Sequence, residues 1–144
     1  DDTRSTMIKK LGQPISGNSN YSNWIVNGLS VYATYSLYGL DGLEITQVKK
    51  QPSNTFISVN GKTITMGQDT LRTAVSKLKQ GCYDLIEGKN TTYSFVTRAG
   101  AEGEVDVAIN VESSSNDLAK LSNTKINGFS FSYQPLSINQ GCNY

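Results

Sequence analysis

The chain has 144 residues, with 13 Lys plus Arg against 12 Asp plus Glu and no histidine. That length suits a single domain, residues 1–144, built around one core. A formal charge of +1 offers no electrostatic footprint for a nucleic-acid backbone or an anionic membrane. The missing histidine removes the commonest general base and transition-metal ligand, and with it Ser-His and Cys-His nucleophile pairs.

Ser, Thr and Asn supply 43 residues, while charged residues make up only 17%, below the roughly 25% of an ordinary soluble domain. A polar but weakly charged surface points to a secreted or surface protein.

In chain order, Met7, Ile8 and Leu11 share one helical face, so residues 3–11 are expected to form a short helix capped by Asp2 and stopped by Gly12. Pro14 and Gly17 interrupt it. From Ser22 to about Ser36, Ile25, Leu29, Tyr32 and Tyr35 recur at three- and four-residue spacing, widened by Trp24, Val31 and Tyr38. This predicts the first substantial helix, weakened by Asn27-Gly28 and ended by Gly39, Asp41 and Gly42.

A hairpin follows, Thr55 to Val59 and Lys62 to Met66 around Asn60-Gly61, both of which accept the positive φ of a type I′ turn. Asp69 or Thr70 then caps a helix whose face is Leu71, Val75, Leu78, Cys82, Leu85 and Ile86, with Gly88 as its stop.

Tyr93 to Arg98 and Glu104 to Glu112 read as paired strands. In the second, Val105, Val107, Ile109 and Val111 alternate with Glu104, Asp106, Asn110 and Glu112, which predicts one buried and one wet face. Asp117 to Leu121 reads as one helical turn. Ile126, Phe129, Phe131 and Tyr133 form a last strand, with Asn127-Gly128 at its start and Pro135 at its end.

Carboxylates are the remaining acid-base candidates, and Glu102, Glu104 and Asp106 are the densest group. As a paired-carboxylate site they compete with a plain solvated strand face. With Asp117 they could offer oxygens to calcium, but no loop shows a calcium-motif spacing. No catalytic, cofactor or metal residue is assigned, and no enzyme activity is expected.

Lys62, Arg72, Lys77, Lys79, Lys89 and Arg98 bring residues 51–100 to about +3 and residues 101–144 to about −3. Opposite charge on two faces favours head-to-tail association between subunits. Tyr32, Tyr35 and Tyr38 beside Trp24 would form a sugar- or protein-binding platform if exposed, and core if buried. Asn20-Tyr21-Ser22 and Asn90-Thr91-Thr92 match the glycosylation sequon, which matters in a eukaryotic source.

Cys82 and Cys142 are the two cysteines. They form either one disulfide or two free thiols. The absence of CxxC or metal spacing favours the bridge and an oxidising compartment. No run reaches the ~20 apolar residues of a membrane helix, and the N-terminus is unlike a signal peptide. The expectation is therefore a soluble mature protein, or one from which a membrane segment has been removed.

In the expected order of elements the chain resembles type IV pilins of the b subclass. Tyr35-Ser36-Leu37-Tyr38-Gly39-Leu40 is similar to the family's helix end, and Asn54-Thr55-Phe56 to its lead into the sheet. Gly81-Cys82-Tyr83-Asp84-Leu85 is similar to its cysteine helix, and Ile126-Asn127-Gly128 through Gly141-Cys142-Asn143 to its closing region. The resemblance covers about residues 20–144 and lacks the family's hydrophobic N-terminal helix.

It implies an α+β fold, an N-terminal helix packed on an antiparallel β-sheet with a second helix pinned by a Cys82–Cys142 disulfide. It further implies a structural subunit of an extracellular pilus-like filament on the bacterial surface, active in adhesion or self-association. Partners would be other pilin subunits and a host-surface or glycan receptor. Membrane contact would come only through the missing helix, with no nucleic acid and no cofactor. The competing expectation is a secreted carbohydrate- or protein-binding adhesin module using Trp24 and the tyrosines.

Overall fold

The computed structural model describes residues 2–48, 54–86, 91–113, 117–133 and 142–143. In chain order these form α1 (Arg4–Leu11), β1 (Ser16–Gly17), β2 (Tyr21–Val26), β3 (Leu29–Ser36), β4 (Gly39–Gln47), β5 (Phe56–Val59), β6 (Lys62–Thr65) and α2 (Leu71–Leu78). Then come β7 (Gly81–Ile86), β8 (Thr91–Ala99), β9 (Val105–Ser113), α3 (Leu118–Ser122), β10 (Gly128–Ser132) and β11 (Cys142–Asn143). Nine strands make one antiparallel sheet in the order β1-β2-β3-β4-β10-β9-β8-β7-β11, and β5-β6 is a separate hairpin.

The fold is thus mostly antiparallel β, which corrects the α+β expectation of a large N-terminal helix on a sheet with a second helix pinned by a disulfide. Residues 22–36 are two strands, not a helix. Asn27 and Gly28 sit at φ 51 and 81, the doubly positive geometry that lets a two-residue turn match the twist of the strands it joins. Trp24 faces Val31, and Ser22 faces Ala33, across the β2–β3 pair. The apolar spacing that imitates a helix is the sum of two period-two patterns.

The second correction concerns Cys82. Helix α2 starts where expected, with Thr70 as N-cap and Thr73 closing a capping box, but it ends at Leu78. Lys79 takes φ 69 and its N–H bonds back to the Val75 carbonyl at 2.8 Å. The chain then turns into β7 at Gly81, where a Cβ would stand 2.6 Å from both the Phe95 ring and the Val96 carbonyl. Cys82 therefore lies on a strand opposite Val96, and no cysteine lies on α2. Gly88, its expected stop, lies outside the described residues.

Cys82 is disulfide-bonded, and its Cα partner on β11 is Cys142, the only other cysteine in the chain. What such a bridge joins is strand to strand.

Other expectations are met locally. Helix α1 ends at Gly12, φ 86, although Thr3 rather than Asp2 is the N-cap. The Asn60-Gly61 hairpin forms with both residues at positive φ. Asp117 caps α3. Along β9, Val107, Ile109 and Val111 are buried as the alternation predicts, but so are Asp106 and Ala108 on the other face.

Strand alternation assigns the core to one face. Phe95 faces Ile109, Ile109 faces Phe129, and Phe129 faces Ile45. Val59, Ile64 and Met66 of the hairpin region, Leu71 and Ala74 of α2, and Leu121 of α3 close over that row. At the other end of the same face, Met7 of α1 packs with Trp24, Val31 and Ala33. Trp24 is 2% exposed, and its indole N–H donates to the Gly12 carbonyl at 2.8 Å. Short helices and a hairpin thus cover one side of the sheet, and among the described residues no helix or hairpin packs on the other. No described helix is long and apolar enough to cross a membrane.

Candidate ligand-binding trough

The side chains between the core positions point to the opposite face, and their sizes shape it. One cross-strand row runs Tyr32, Glu44, Ser130, Ala108, Val96. The next runs Thr46, Gly128, Asn110, Ser94, Asp84. A third runs Thr34, Gly42, Ser132, Asp106. Glycine, alanine and serine occupy the centre, while Tyr32 and Glu44 rise at one side and Asp84 and Thr92 at the other.

The result is a trough of about 630 Å³, within the size range of small-molecule sites. Two of these small residues sit close to their neighbours. A Cβ at Gly42 would meet the Thr34 hydroxyl at 2.8 Å, and one at Gly128 would meet the Ile45 carbonyl at 3.1 Å.

A directed hydrogen-bond chain crosses the floor. The Ser94 hydroxyl donates to Asn110 Oδ1 at 2.7 Å, and Asn110 Nδ2 donates to the Ser130 hydroxyl at 3.0 Å. Ser94 has spent its proton and keeps its acceptor capacity, whereas Ser130 keeps a hydroxyl proton to give. At the β7 end, Asp84 Oδ1 is buried with no hydrogen-bond partner among the described residues. At the β3 end the Tyr32 ring, 39% exposed, stacks on Tyr21 with centroids 5.9 Å apart and planes 29° apart.

Glu44 and Asp84 are four strand spacings apart, about 19 Å at ~4.8 Å each. Paired catalytic carboxylates stand roughly 5–9.5 Å apart. Glu44 and Asp84 therefore do not flank one bond.

The residues singled out in the sequence are dispersed. Trp24 is core and Tyr32 lines the trough; Tyr35 has its hydroxyl buried without a hydrogen-bond partner among the described residues, and Tyr38 stands 94% exposed in the β3–β4 turn. No shared aromatic platform forms from them.

Glu102 and Glu104 are exposed in the β8–β9 loop, where Glu104 accepts the Glu102 N–H at 2.9 Å. Asp106 lies beside Arg98 at 3.8 Å, and Asp117 caps α3. Among the described residues no three acidic or cysteine side chains gather as metal ligands.

Arg98 of the basic half meets Asp106 of the acidic half within the chain, at 3.8 Å, whereas Lys77 pairs with Asp69 inside the basic half. Of the sequons, Asn20 is exposed but Ser22 is fully buried, and Asn90 lies outside the described residues.

The sequence reading missed Glu44, Asp84, Ser94, Asn110 and Ser130 as a set. A signal existed in Phe129-Ser130-Phe131-Ser132, whose strict alternation puts phenylalanine on the core face and serine opposite. No family model, curated protein or solved structure matches the chain.

Proposed function

We propose that the protein is a secreted ligand-binding module of adhesin type whose site is the trough on the sheet face opposite the core. The observation that carries this reading is the Ser94–Asn110–Ser130 chain on a floor of small residues. Ordered, mutually oriented polar side chains set between an aromatic ring and a carboxylate offer a preorganised surface to a polar ligand. The disulfide-bonded Cys82 suits an oxidising extracellular compartment.

A filament subunit draws less support. The elements behind the pilin resemblance, a helix over residues 22–36 and a cysteine-bearing helix, are strands here.

The test is a ligand-observed NMR screen of saccharides, amino acids and short peptides. Binding should disappear when Ala108→Trp or Ser130→Tyr fills the trough and persist in Arg72→Ala on α2. Equal binding by the filled variants would overturn the reading.

A further inference from the structure

We infer that the ligand of the trough, if the trough is the site proposed above, is an extended neutral glycan lying across the strands, with one ring on Tyr32 and a hydroxyl donated to Asp84. From Tyr32 on β3 to Asp84 on β7 there are five strand spacings, about 24 Å, long enough for several sugar rings in line.

Three features select this chemistry. The floor belongs to β4, β10, β9 and β8, all interior strands whose backbones are paired on both sides. An extended peptide recognises a sheet by adding to an edge, where main-chain donors and acceptors are open; here it would find side chains alone.

Those side chains offer both kinds of partner. Ser94, Glu44 and Asp84 accept, and Ser130 donates. A row of sugar hydroxyls, each able to give and to take a hydrogen bond, answers that mixed set. A purely cationic chain answers only the carboxylates.

The third feature is Asp84 itself. A buried carboxylate oxygen without a partner is costly, and an aspartate χ2 turns broadly enough to present either oxygen to an arriving hydroxyl. At the other end, stacking on Tyr21 holds the Tyr32 ring as a flat apolar face for the carbon side of a sugar ring.

The experiment is a ¹H–¹⁵N titration of the whole labelled chain with linear tetrasaccharides of glucose, galactose, mannose and N-acetylglucosamine, and separately with tetralysine. At least one tetrasaccharide should shift the Ser94, Asn110 and Ser130 signals saturably. Tyr32→Ala and Asp84→Ala should each weaken that binding about tenfold, while Tyr32→Phe, which keeps the ring, stays within about twofold.

Tetralysine binding in the trough without any tetrasaccharide would overturn the glycan while leaving the trough as the site. No shift in the trough with any of these probes would overturn both. Dispersed spectra of the variants separate lost binding from lost folding.

Discussion

Ser94 and Asn110 sit directly opposite each other on β8 and β9, and the serine hydroxyl donates to the asparagine carbonyl at 2.7 Å. Ser94 is 6% exposed, so the bond is made where water competes poorly. Asn110→Ala removes this acceptor and the donor to Ser130 together and leaves the buried Ser94 hydroxyl unanswered. It should cost about 1–3 kcal/mol of stability, read as a lower urea midpoint at unchanged slope.

Acid should unfold the protein partly through Asp69. Burial pushes this carboxyl up, but the Thr65 N–H, the Lys77 ammonium and the Thr73 hydroxyl outweigh it and hold the group below its ordinary 3.8. Their contacts are 2.8 to 3.1 Å long. Because the folded value is depressed, the stabilisation is complete above the unfolded value near ~3.9 and is lost as pH falls through the folded one. Asp69→Asn should flatten the stability–pH curve below about pH 4; an unchanged acid limb would show that the α2 anchor contributes nothing there.

Ser22 is fully buried on the core face, opposite Ala33, and its hydroxyl has no partner among the described residues. Ser22→Ala removes a desolvated polar group and adds almost no void. It should raise stability by about 1 kcal/mol, seen as a higher melting temperature.

Cys82 and Cys142 are predicted to be bridged to each other. Non-reducing peptide mapping should recover them as one linked pair. The bridge encloses roughly 60 residues, so in the chain-entropy account its reduction should cost about 4 kcal/mol. Two alkylatable thiols in protein from an oxidising source would remove this element.

Legibility in the sequence followed the locality of each signal. The Asn60-Gly61 hairpin, the Gly12 stop and the Thr70 cap depend on residues within a few positions, and all were readable. The same Asn-Gly signal at Asn27-Gly28 was outweighed by a three- and four-residue apolar spacing that two back-to-back strands imitate. The apolar register of Cys82 continues from Leu78 and so imitates a longer helix. The helix ends instead at Lys79, whose φ of 69 turns the chain towards β7.

The trough was the least legible part, because Asp84, Ser94, Asn110 and Ser130 come from four strands. They become neighbours only through register, which no local pattern encodes.

The side-chain amide of Asn110 reports most directly on whether the trough is the binding site. With the ¹⁵N-labelled chain titrated by the tetrasaccharide series, its two Nδ2 proton signals should move saturably, together with the Ser94 and Ser130 amides. Signals that stay fixed there while residues of α2 shift would contradict the account.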